Sequence, residues 1–250
     1  MEEKRPSVAG TSLVLPLFAA ACAACAFLLL FSSGPGARLN LWTFRTGFAM
    51  ITAAGYIGLG CAVLAVASSV VSIRRRHFKG ILISLLALIV ALFAFVIPMY
   101  WKVQAQSYPR IHDISTDLSN PPHFVAISSA RGGGVRYGGI DLATQQLKAY
   151  PDLKTVVLSM PAGEAYKRAL FIARELKWTV VAERPAEGII EATDTTRWFG
   201  FKDDIAIRIV PAGDRCLLDV RSVSRVGISD VGTNAKRIRA FLAKMVPGRT

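Results

Sequence analysis

Three long apolar runs near the N-terminus dominate the pattern of hydrophobic and polar positions along the chain. They cover residues 11–33, 47–73 and 81–101, and none of them contains a charged side chain. A helix of about 20 apolar residues crosses the hydrocarbon core of a bilayer. The length of the runs and the absence of a polar face exclude helices of a soluble core. The pattern therefore predicts a membrane domain over residues 1–101 with three transmembrane helices.

Positive charges flank these runs unevenly. The link "RRRHFKG" at residues 74–80 holds four Lys and Arg residues, and Lys4 and Arg5 precede the first run. The opposite side holds Arg38, Arg45 and Lys102 close to the runs. Cytoplasmic loops carry an excess of Lys and Arg, which predicts a cytoplasmic N-terminus and a cytoplasmic link. We therefore expect a multi-pass protein of the bacterial inner (cytoplasmic) membrane with residues 102–250 in the periplasm.

A cleaved signal peptide is the alternative for the first run. The stretch "AACAAC" offers small residues, and Cys22 or Cys25 resembles a lipoprotein cysteine. The apolar run continues for six residues past Cys25, however, and is long for a signal sequence. The last cysteine, Cys216, stands alone in the second half of the sequence, so an internal disulfide is excluded there.

Residues 102–250 show shorter helical and alternating patterns. Helical spacing begins at Pro161, with Ser159 as the expected cap, and returns over residues 230–246. Between them lie four strand patterns joined by tight turns, "WTVVAER", "IIEATDT", "DIAIRIV" and "CLLDVRSVS". Ahead of the first helix we expect an extended lead-in and a mobile glycine-rich loop at residues 128–139. The prediction is an extracytoplasmic α+β domain, an antiparallel sheet meander flanked by two helices.

The adjacent carboxylates Asp203 and Asp204 suggest a catalytic pair at first sight. Successive side chains of a strand point to opposite faces of the sheet. Asp203 is in phase with the isoleucines of "DIAIRI", whereas Asp204 points the other way. The two carboxylates therefore cannot act together as acid and base on one substrate. We interpret them as the start of a strand.

The same alternation gathers charged residues on the face of the sheet that points away from the two helices, here called the reverse face. One hypothesis is a solvated face with cross-strand ion pairs, each contributing about 0.2–1 kcal/mol. The other is a binding site for an anionic or zwitterionic group. The candidate ligand-binding residues are Glu191, Thr193, Arg208, Asp219, Arg221 and Arg225, with Asp204 beside them.

Two further segments carry candidate chemistry. Arg225, Ser229 and Asp230 lead into the last helix, whose first amides could hold a phosphate, although Asp230 is also an ordinary helix cap. Trp198, Phe199 and Phe201 surround Gly200 and could enter lipid or line a pocket. We favour the interpretation that these aromatic residues cover the core at the end of a hairpin.

Net charge and motifs exclude several function classes. The formal net charge is +13, and residues 102–250 hold 22 basic and 15 acidic residues, a difference of +7. This diffuse charge suits an anionic lipid surface, and no run of five basic residues indicates nucleic-acid binding. His112 and His123 lie near Asp113 and Asp117 without the spacing of metal ligands, so we expect no metal and no cofactor. No nucleophile motif is present.

Four segments of the second half resemble the bacterial domain-of-unknown-function family 1499. They are "RIHDISTDLSNPPHF", "YPD", "IEATDTTRWFGFKDDIAIRI" and "DVRSVSRVGISDVGTNAKRIRAFL", and with their spacing they span residues 108–245. Members with hydrophobic spans ahead of the domain share this layout. The resemblance implies no activity or catalytic residue, but it marks a set of signature residues. These are His112, Asp113, Thr116, Asp117, Trp198, Phe199, Asp203, Asp204, Arg221, Ser224, Arg225 and Asp230.

Three functional hypotheses follow. The leading one is an inner-membrane protein that presents a ligand-, lipid- or partner-binding domain to the periplasm, with anionic lipid or another envelope protein as its contact. The alternative is an envelope or lipid-modifying enzyme that uses Asp117, Glu191 or Asp204 with Arg208 or Arg221. A third is a structural role, in which the domain packs against a neighbouring membrane protein.

Overall fold

The computed structural model describes residues 13–133 and 135–246. The chain divides into two compact units. The first contains the N-terminal part of the chain up to Gln104 together with Trp198–Gly200. The second contains Ala105–Arg197 and the chain from Phe201 onward.

Three long helices form the first unit, namely α1 (Val14–Arg38), α2 (Phe44–Arg74) and α3 (Phe78–Gln106). Each is long and apolar enough to cross a membrane. The three predicted apolar runs lie within these helices, except that the first run was predicted to begin at residue 11 and α1 begins at Val14. Residues 11 and 12 lie outside the described part of the chain. The structure thus agrees with the prediction of a membrane protein with three spans.

Small residues line the contacts between these helices. Alanines of all three helices and Cys61 of α2 form one buried cluster. The hydroxyl groups of Ser68 and Ser84 share a buried hydrogen bond of 2.7 Å between α2 and α3. A Cβ atom at Gly58 would lie only 2.9 Å from the carbonyl oxygen of Ala91. Close approach of helix backbones through small side chains is typical of membrane helix packing.

Two of the signature aromatic residues pack inside the first unit. The ring of Trp198 meets Phe31 edge-on at 5.4 Å between centroids. The ring of Phe199 lies 5.0 Å from that of Phe48. The expectation that these two side chains cover the core at a hairpin end is therefore wrong, because they contact the long apolar helices instead.

The second unit is built on an open antiparallel sheet with the order β1-β6-β5-β4-β3, in which β2 also pairs with β6. The strands are β1 (Asp113–Ser115), β2 (Val156–Leu158), β3 (Thr179–Arg184), β4 (Ile189–Thr195), β5 (Lys202–Ala212) and β6 (Arg215–Ser224). The helices are α4 (Ala126–Ala130), α5 (Gly139–Ala149), α6 (Ala162–Glu175) and α7 (Thr233–Met245). The predicted meander is β3–β6, and the α+β class is confirmed.

The apolar face of the sheet packs on α6 and α7. Alternate strand residues such as Ile190, Ile207 and Leu218 are fully buried, and they meet Ile172 of α6 and Ile238 of α7 in one core. This arrangement follows from the period of two in the strands and the helical spacing of the apolar residues. Asp203 faces the same side and binds Arg237 of α7 at 2.6 Å, whereas Asp204 faces the reverse side.

The predicted helix starts need correction. Pro161 is the N-cap of α6 and no side chain caps this helix, so Ser159 is not the cap. The last helix begins at Thr233 rather than near Asp230. The Asp230 carboxylate instead accepts hydrogen bonds from the amides of Gly232 and Asn234, at 2.9 and 2.6 Å. Asp230 thus satisfies amides of the first turn, as the capping interpretation expects.

The largest difference from the prediction lies in residues 113–149. The expected lead-in and loop contain β1, α4 and the start of α5, and residues 140–149, which carried no prediction, form the rest of α5. The polar and apolar residues of this segment do not alternate with a helical or strand period that indicates which residues are buried. The partners of its polar residues lie on distant strands, which a local pattern does not reveal.

Candidate ligand site on the reverse face of the sheet

A covering segment, residues 116–133 and 135–137, closes the reverse face of the sheet. Phe124, Ile127 and Val135 of this segment pack on Ala206 and Val223 of the sheet. The charged residues beneath it are sealed, since Glu191, Asp204 and Arg221 each show 0% exposure. The hypothesis of a solvated face is therefore wrong, because the covering segment excludes water from the centre of this face.

Arg221 occupies the centre of the buried layer. Its Nε and Nη2 atoms donate to the two carboxylate oxygens of Asp113, at 2.9 and 2.7 Å. The carbonyl oxygens of Pro122 and Val135 accept further hydrogen bonds at 3.2 Å. Arg221 therefore ties β6 to β1 and to both ends of the covering segment, and its charge is matched by one carboxylate.

Two aromatic rings flank the Arg221 guanidinium group. Its Cζ atom lies 5.2 Å from the ring centre of Phe124 and 5.4 Å from that of Tyr137, which is the distance of a cation–π contact. The Tyr137 hydroxyl is buried without a hydrogen-bond partner among the described residues. Burial first, and then the charge of Asp113, raise the pKa of Tyr137 to about 12, so the hydroxyl stays protonated at neutral pH.

Glu191 of β4 holds the start of α4. Its carboxylate oxygens accept the amide hydrogens of Val125, Ala126 and Ile127 at 2.9–3.1 Å. Arg184 of β3 donates to the same carboxylate at 3.0 Å. A carboxylate at a helix N-terminus satisfies amides that the helix itself leaves free. Glu191 therefore fastens the covering segment to the sheet.

Asp204 of β5 binds two arginines. Arg225 donates to it through Nε and Nη2 at 2.8–3.2 Å, and Arg131 of the covering segment donates through Nη1 at 3.1 Å. The Thr193 hydroxyl adds a hydrogen bond of 2.8 Å. The hydrogen bond with Asp204 raises the pKa of Arg225 further above its ordinary value. Asp204 thus holds together β5, the chain after β6 and the covering segment.

The fourth buried acid, Asp219, lies at the β1 side of the sheet. It accepts hydrogen bonds from Thr116, Thr155 and Arg208 at 2.9, 2.6 and 2.9 Å. Arg208 also binds Asp117 at 2.8 Å. Although burial alone would raise it, the pKa of Asp117 is lowered by hydrogen bonds from Asn120, Arg208 and Ser119 and by the charge of Arg208. Asp117 is therefore an ionised partner of Arg208 rather than a proton donor at neutral pH.

The remaining signature residues lie around the start of α7. Ser224 and the His112 carbonyl oxygen both accept hydrogen bonds from Asn234, at 3.1 and 2.9 Å. Burial raises the pKa of Asp230, although the amides of Asn234 and Gly232 oppose this shift. These contacts attach α7 to the sheet. In the described part of the chain no cluster of His, Cys, Asp and Glu has the arrangement of a metal site.

The candidate residues fall into a sealed group and an accessible group. Arg221 and Arg208 have side chains that are 1% and 17% exposed, and Arg225 reaches 33%. Two arginines outside the predicted set, Arg131 and Arg184, are 26% and 23% exposed at their side chains. We call Arg131, Arg184 and Arg225 the arginine mouth, since all three hold a fully buried carboxylate and also reach solvent.

Sequence reasoning missed two members of the mouth for different reasons. Ala182 of β3 pairs with Glu191, and Arg184, two residues further on, points to the same face of the sheet. Counting alternate residues along β3 would therefore have placed Arg184 on the reverse face. A register shift between Val180 and Ala182 partly hides this alternation. Arg131 follows α4 in the stretch interpreted as a mobile loop, and no periodic signal marked it.

Comparisons with known proteins agree with the resemblance. The sequence model of the family described as "Protein of unknown function (DUF1499)" matches residues 113–245. No curated protein matches the chain. A solved START superfamily protein from Mycobacterium smegmatis is 20% identical, with a TM-score of 0.29 over 38% of this chain and 93% of that chain. A solved protein from Thermus thermophilus is 10% identical, with a TM-score of 0.22 over 36% of this chain and 90% of that chain.

Proposed function

Because the chain belongs to the DUF1499 family of proteins of unknown function, we propose its role from the geometry of the site. The protein is an inner-membrane protein with a cytoplasmic N-terminus and a periplasmic C-terminal domain. That domain binds an anionic group, and the head group of an anionic membrane lipid fits it best. The arginine mouth is the binding site.

The observation that carries this proposal is that three partly exposed guanidinium groups bind two fully buried carboxylates on the neighbouring strands β4 and β5. Arg131, Arg184 and Arg225 bring three positive charges, whereas Asp204 and Glu191 bring two negative charges. Glu187 also lies 3.3 Å from Arg184, but its side chain is 56% exposed and its charge is screened by water. At its exposed side the mouth therefore presents three guanidinium groups to an anion.

The buried carboxylates position the arginines for such a ligand. Arg225 binds Asp204 through Nε and Nη2, and its side chain remains 33% exposed. Guanidinium groups bind phosphate and carboxylate through pairs of N–H donors. Held in place by Asp204 and Glu191, the three side chains lose less rotamer entropy when a ligand binds.

The membrane supplies the ligand class. Six residues, 107–112, join the end of α3 to the start of β1, so the domain is tethered to the bilayer by a short stretch of chain. The net charge of residues 102–250, which is +7, favours anionic lipid over zwitterionic lipid. Candidate acids for an enzyme are bound by several donors each, and the pKa of Asp117 is lowered. The site therefore favours binding over acid–base catalysis.

Reporter fusions test the topology. Alkaline phosphatase, which is active only in the periplasm, is fused after Val246 in one fusion and within residues 74–80 in another. The proposal expects activity from the first fusion and none from the second. The reverse pattern would overturn the periplasmic assignment.

Native mass spectrometry tests the binding. The full chain in detergent is titrated with phosphatidylglycerol and, separately, with phosphatidylcholine. We expect the wild type to retain phosphatidylglycerol preferentially, and Arg131→Ala to weaken retention by about tenfold or more, because a hydrogen bond to a charged group contributes about 1.5–3 kcal/mol.

Arg239→Ala is the matched control. Arg239 is partly exposed and bound to Asp152 at 2.6 Å, as Arg131 is bound to Asp204, but it lies on α7 outside the mouth. Equal retention of both lipids by the wild type would contradict the proposal. An equal loss in Arg131→Ala and Arg239→Ala would contradict the location of the site.

A further inference from the structure

An apolar cleft lies beside α5 and includes none of the three arginines of the mouth. Its volume is about 410 Å³, within the usual range of about 300–1,000 Å³ for small-molecule sites. The covering segment and one face of α5 form its walls. The apolar and aromatic residues that line it are Leu118, Pro121, Tyr137, Ile140, Ala143 and Leu147.

A buried glutamine sets the rotation of α5 about its axis. Within residues 139–149, all of them described, Gln146 is the single fully buried residue. Its side-chain amide donates to the Ser115 carbonyl oxygen at 2.6 Å and accepts from the Ser115 amide at 2.9 Å. Ser115 belongs to β1, the edge strand of the sheet. The Gln146 side chain therefore occupies the hydrogen-bonding position of a neighbouring strand and fixes the helix.

This rotation points an apolar stripe away from the core. Ile140, Ala143 and Leu147 stand at i, i+3 and i+7, and so share one face of the helix. Ile140 is 84% exposed and Leu147 is 53% exposed. A second stripe, Leu142 and Ala149, packs on the core. The helix thus has a core face that contains a polar residue and an outer face that is apolar.

Tyr137, one of the residues that line the cleft, carries a polar group without a partner in the described part of the chain. The Tyr137 hydroxyl is buried and makes no hydrogen bond within the described residues. Its ring is held against Arg221. A buried hydroxyl that lacks a partner favours a ligand that brings an acceptor oxygen. An apolar stripe and one unmatched donor together select a ligand with a hydrocarbon chain and a carbonyl oxygen.

We propose that the cleft binds the acyl chain of a membrane lipid, with the Tyr137 hydroxyl donating a hydrogen bond to the ester carbonyl oxygen. Lipid is available to this chain, because its three long apolar helices could each cross a membrane. This inference goes beyond the proposed function. It concerns an uncharged chain at a different site and does not require an anionic head group.

Photolabelling of the full chain in bilayers tests the inference. The bilayer consists of phosphatidylcholine with a small fraction of phosphatidylcholine that carries a photoreactive group on its acyl chain. After illumination and digestion, we expect label in peptides that contain residues 118–121 or 137–147. Leu147→Glu should reduce this label by about tenfold or more, the factor that corresponds to the burial of one leucine side chain.

Phe171→Glu is the matched control, because Phe171 is also an exposed apolar residue, 67% exposed, but lies on α6. It should leave the label unchanged. Absence of label in both peptide regions, or equal label in Leu147→Glu and the wild type, would overturn the inference.

Two further variants separate the contribution of the Tyr137 hydrogen bond from that of the anion site. Tyr137→Phe keeps the ring on Arg221 and removes the donor, so label from an ester lipid should fall by about fivefold while label from an ether-linked analogue stays the same. An equal effect on both lipids would contradict the hydrogen bond. Arg131→Ala should not change labelling by phosphatidylcholine, so failure of the anion site would leave this result intact.

Discussion

Asp113 and Arg221 form a bidentate ion pair on neighbouring strands, with their side chains only 7% and 1% exposed. The pair links the edge strand β1 to β6 beneath the covering segment. Both charges have lost their hydration, so each depends on the other for compensation. Inside the layer these two signature residues therefore neutralise each other, and removal of either one alone would leave a buried charge without compensation.

Removal of Asp113 should destabilise the second unit strongly. We expect Asp113→Ala to lower the free energy of unfolding by about 3–5 kcal/mol, because the Arg221 charge would be left buried and uncompensated. The double variant Asp113→Leu, Arg221→Met should recover part of this loss. Native-state hydrogen exchange of β6 in the solubilised full chain measures the effect.

Glu175→Ala is the control, since Glu175 forms an exposed ion pair with Lys244. Its effect should stay within about 1 kcal/mol. If the destabilisation of the double variant equalled the sum of those of Asp113→Leu and Arg221→Met alone, the two side chains would not be coupled.

Replacement of Glu191 should release the covering segment. Glu191→Gln keeps the shape of the side chain but offers one acceptor oxygen in place of two, whereas three amides of residues 125–127 need acceptors. We expect exchange of these amides to accelerate by about tenfold or more. Glu183→Gln, on an exposed position of β3, should leave them protected. Unchanged protection in Glu191→Gln would show that α4 does not depend on this carboxylate.

Asp117 should contribute to the acid sensitivity of the fold. Its pKa is lowered in the folded state, so its ionised form stabilises the fold above the unfolded pKa of about 3.9. This contribution is lost as the pH falls through the lowered folded value. Asp117→Asn should therefore be less stable than the wild type at pH 7. It should also lose less stability than the wild type when the pH falls below about 4. Thermal unfolding between pH 2 and pH 7 measures this.

The control for that series is Asp214→Asn, because Asp214 lies exposed in the turn between β5 and β6. Its profile should follow the wild type. If Asp117→Asn also followed the wild type at every pH, the link between Asp117 and acid stability would be refuted.

Close packing at Gly58 should be essential for the membrane helices. A Cβ atom there would meet backbone atoms of α3 at 2.9–3.1 Å, and backbone cannot move aside as a flexible side chain can. We expect Gly58→Val to separate α2 from α3 and to lower the melting temperature of the solubilised protein. Gly60→Val on the same helix is the control, since a Cβ atom at Gly60 would meet nothing within 4 Å. Equal melting temperatures for the two variants would contradict this packing.

The alternation of apolar residues was sufficient to predict four strands and the separation of Asp203 from Asp204. Period two is a local property, and each strand of the meander pairs with its neighbour in sequence. The same argument placed the charged residues on one face correctly. It could not show that this face is buried. Residues 125–127, which cover Glu191, are separated from it in the sequence by 64 to 66 positions.

The α5 helix shows a second limit of pattern reasoning. Apolar periodicity assumes that the apolar face of a helix is the buried face. In α5 the buried residue is Gln146, bound to β1, whereas Ile140 and Leu147 are exposed. A polar anchor and an exposed apolar stripe contradict that assumption, and this is the reason why the helix and its cleft were missed.

Hydrogen exchange with added lipid tests the central claim most directly. The full chain in detergent is compared with and without phosphatidylglycerol, and phosphatidylcholine serves as the parallel sample. The account predicts that phosphatidylglycerol slows exchange at residues 125–131 in the wild type but not in Arg131→Ala, and that phosphatidylcholine leaves these amides unchanged. Protection by both lipids alike, or the same protection in Arg131→Ala, would contradict an anion site at the arginine mouth.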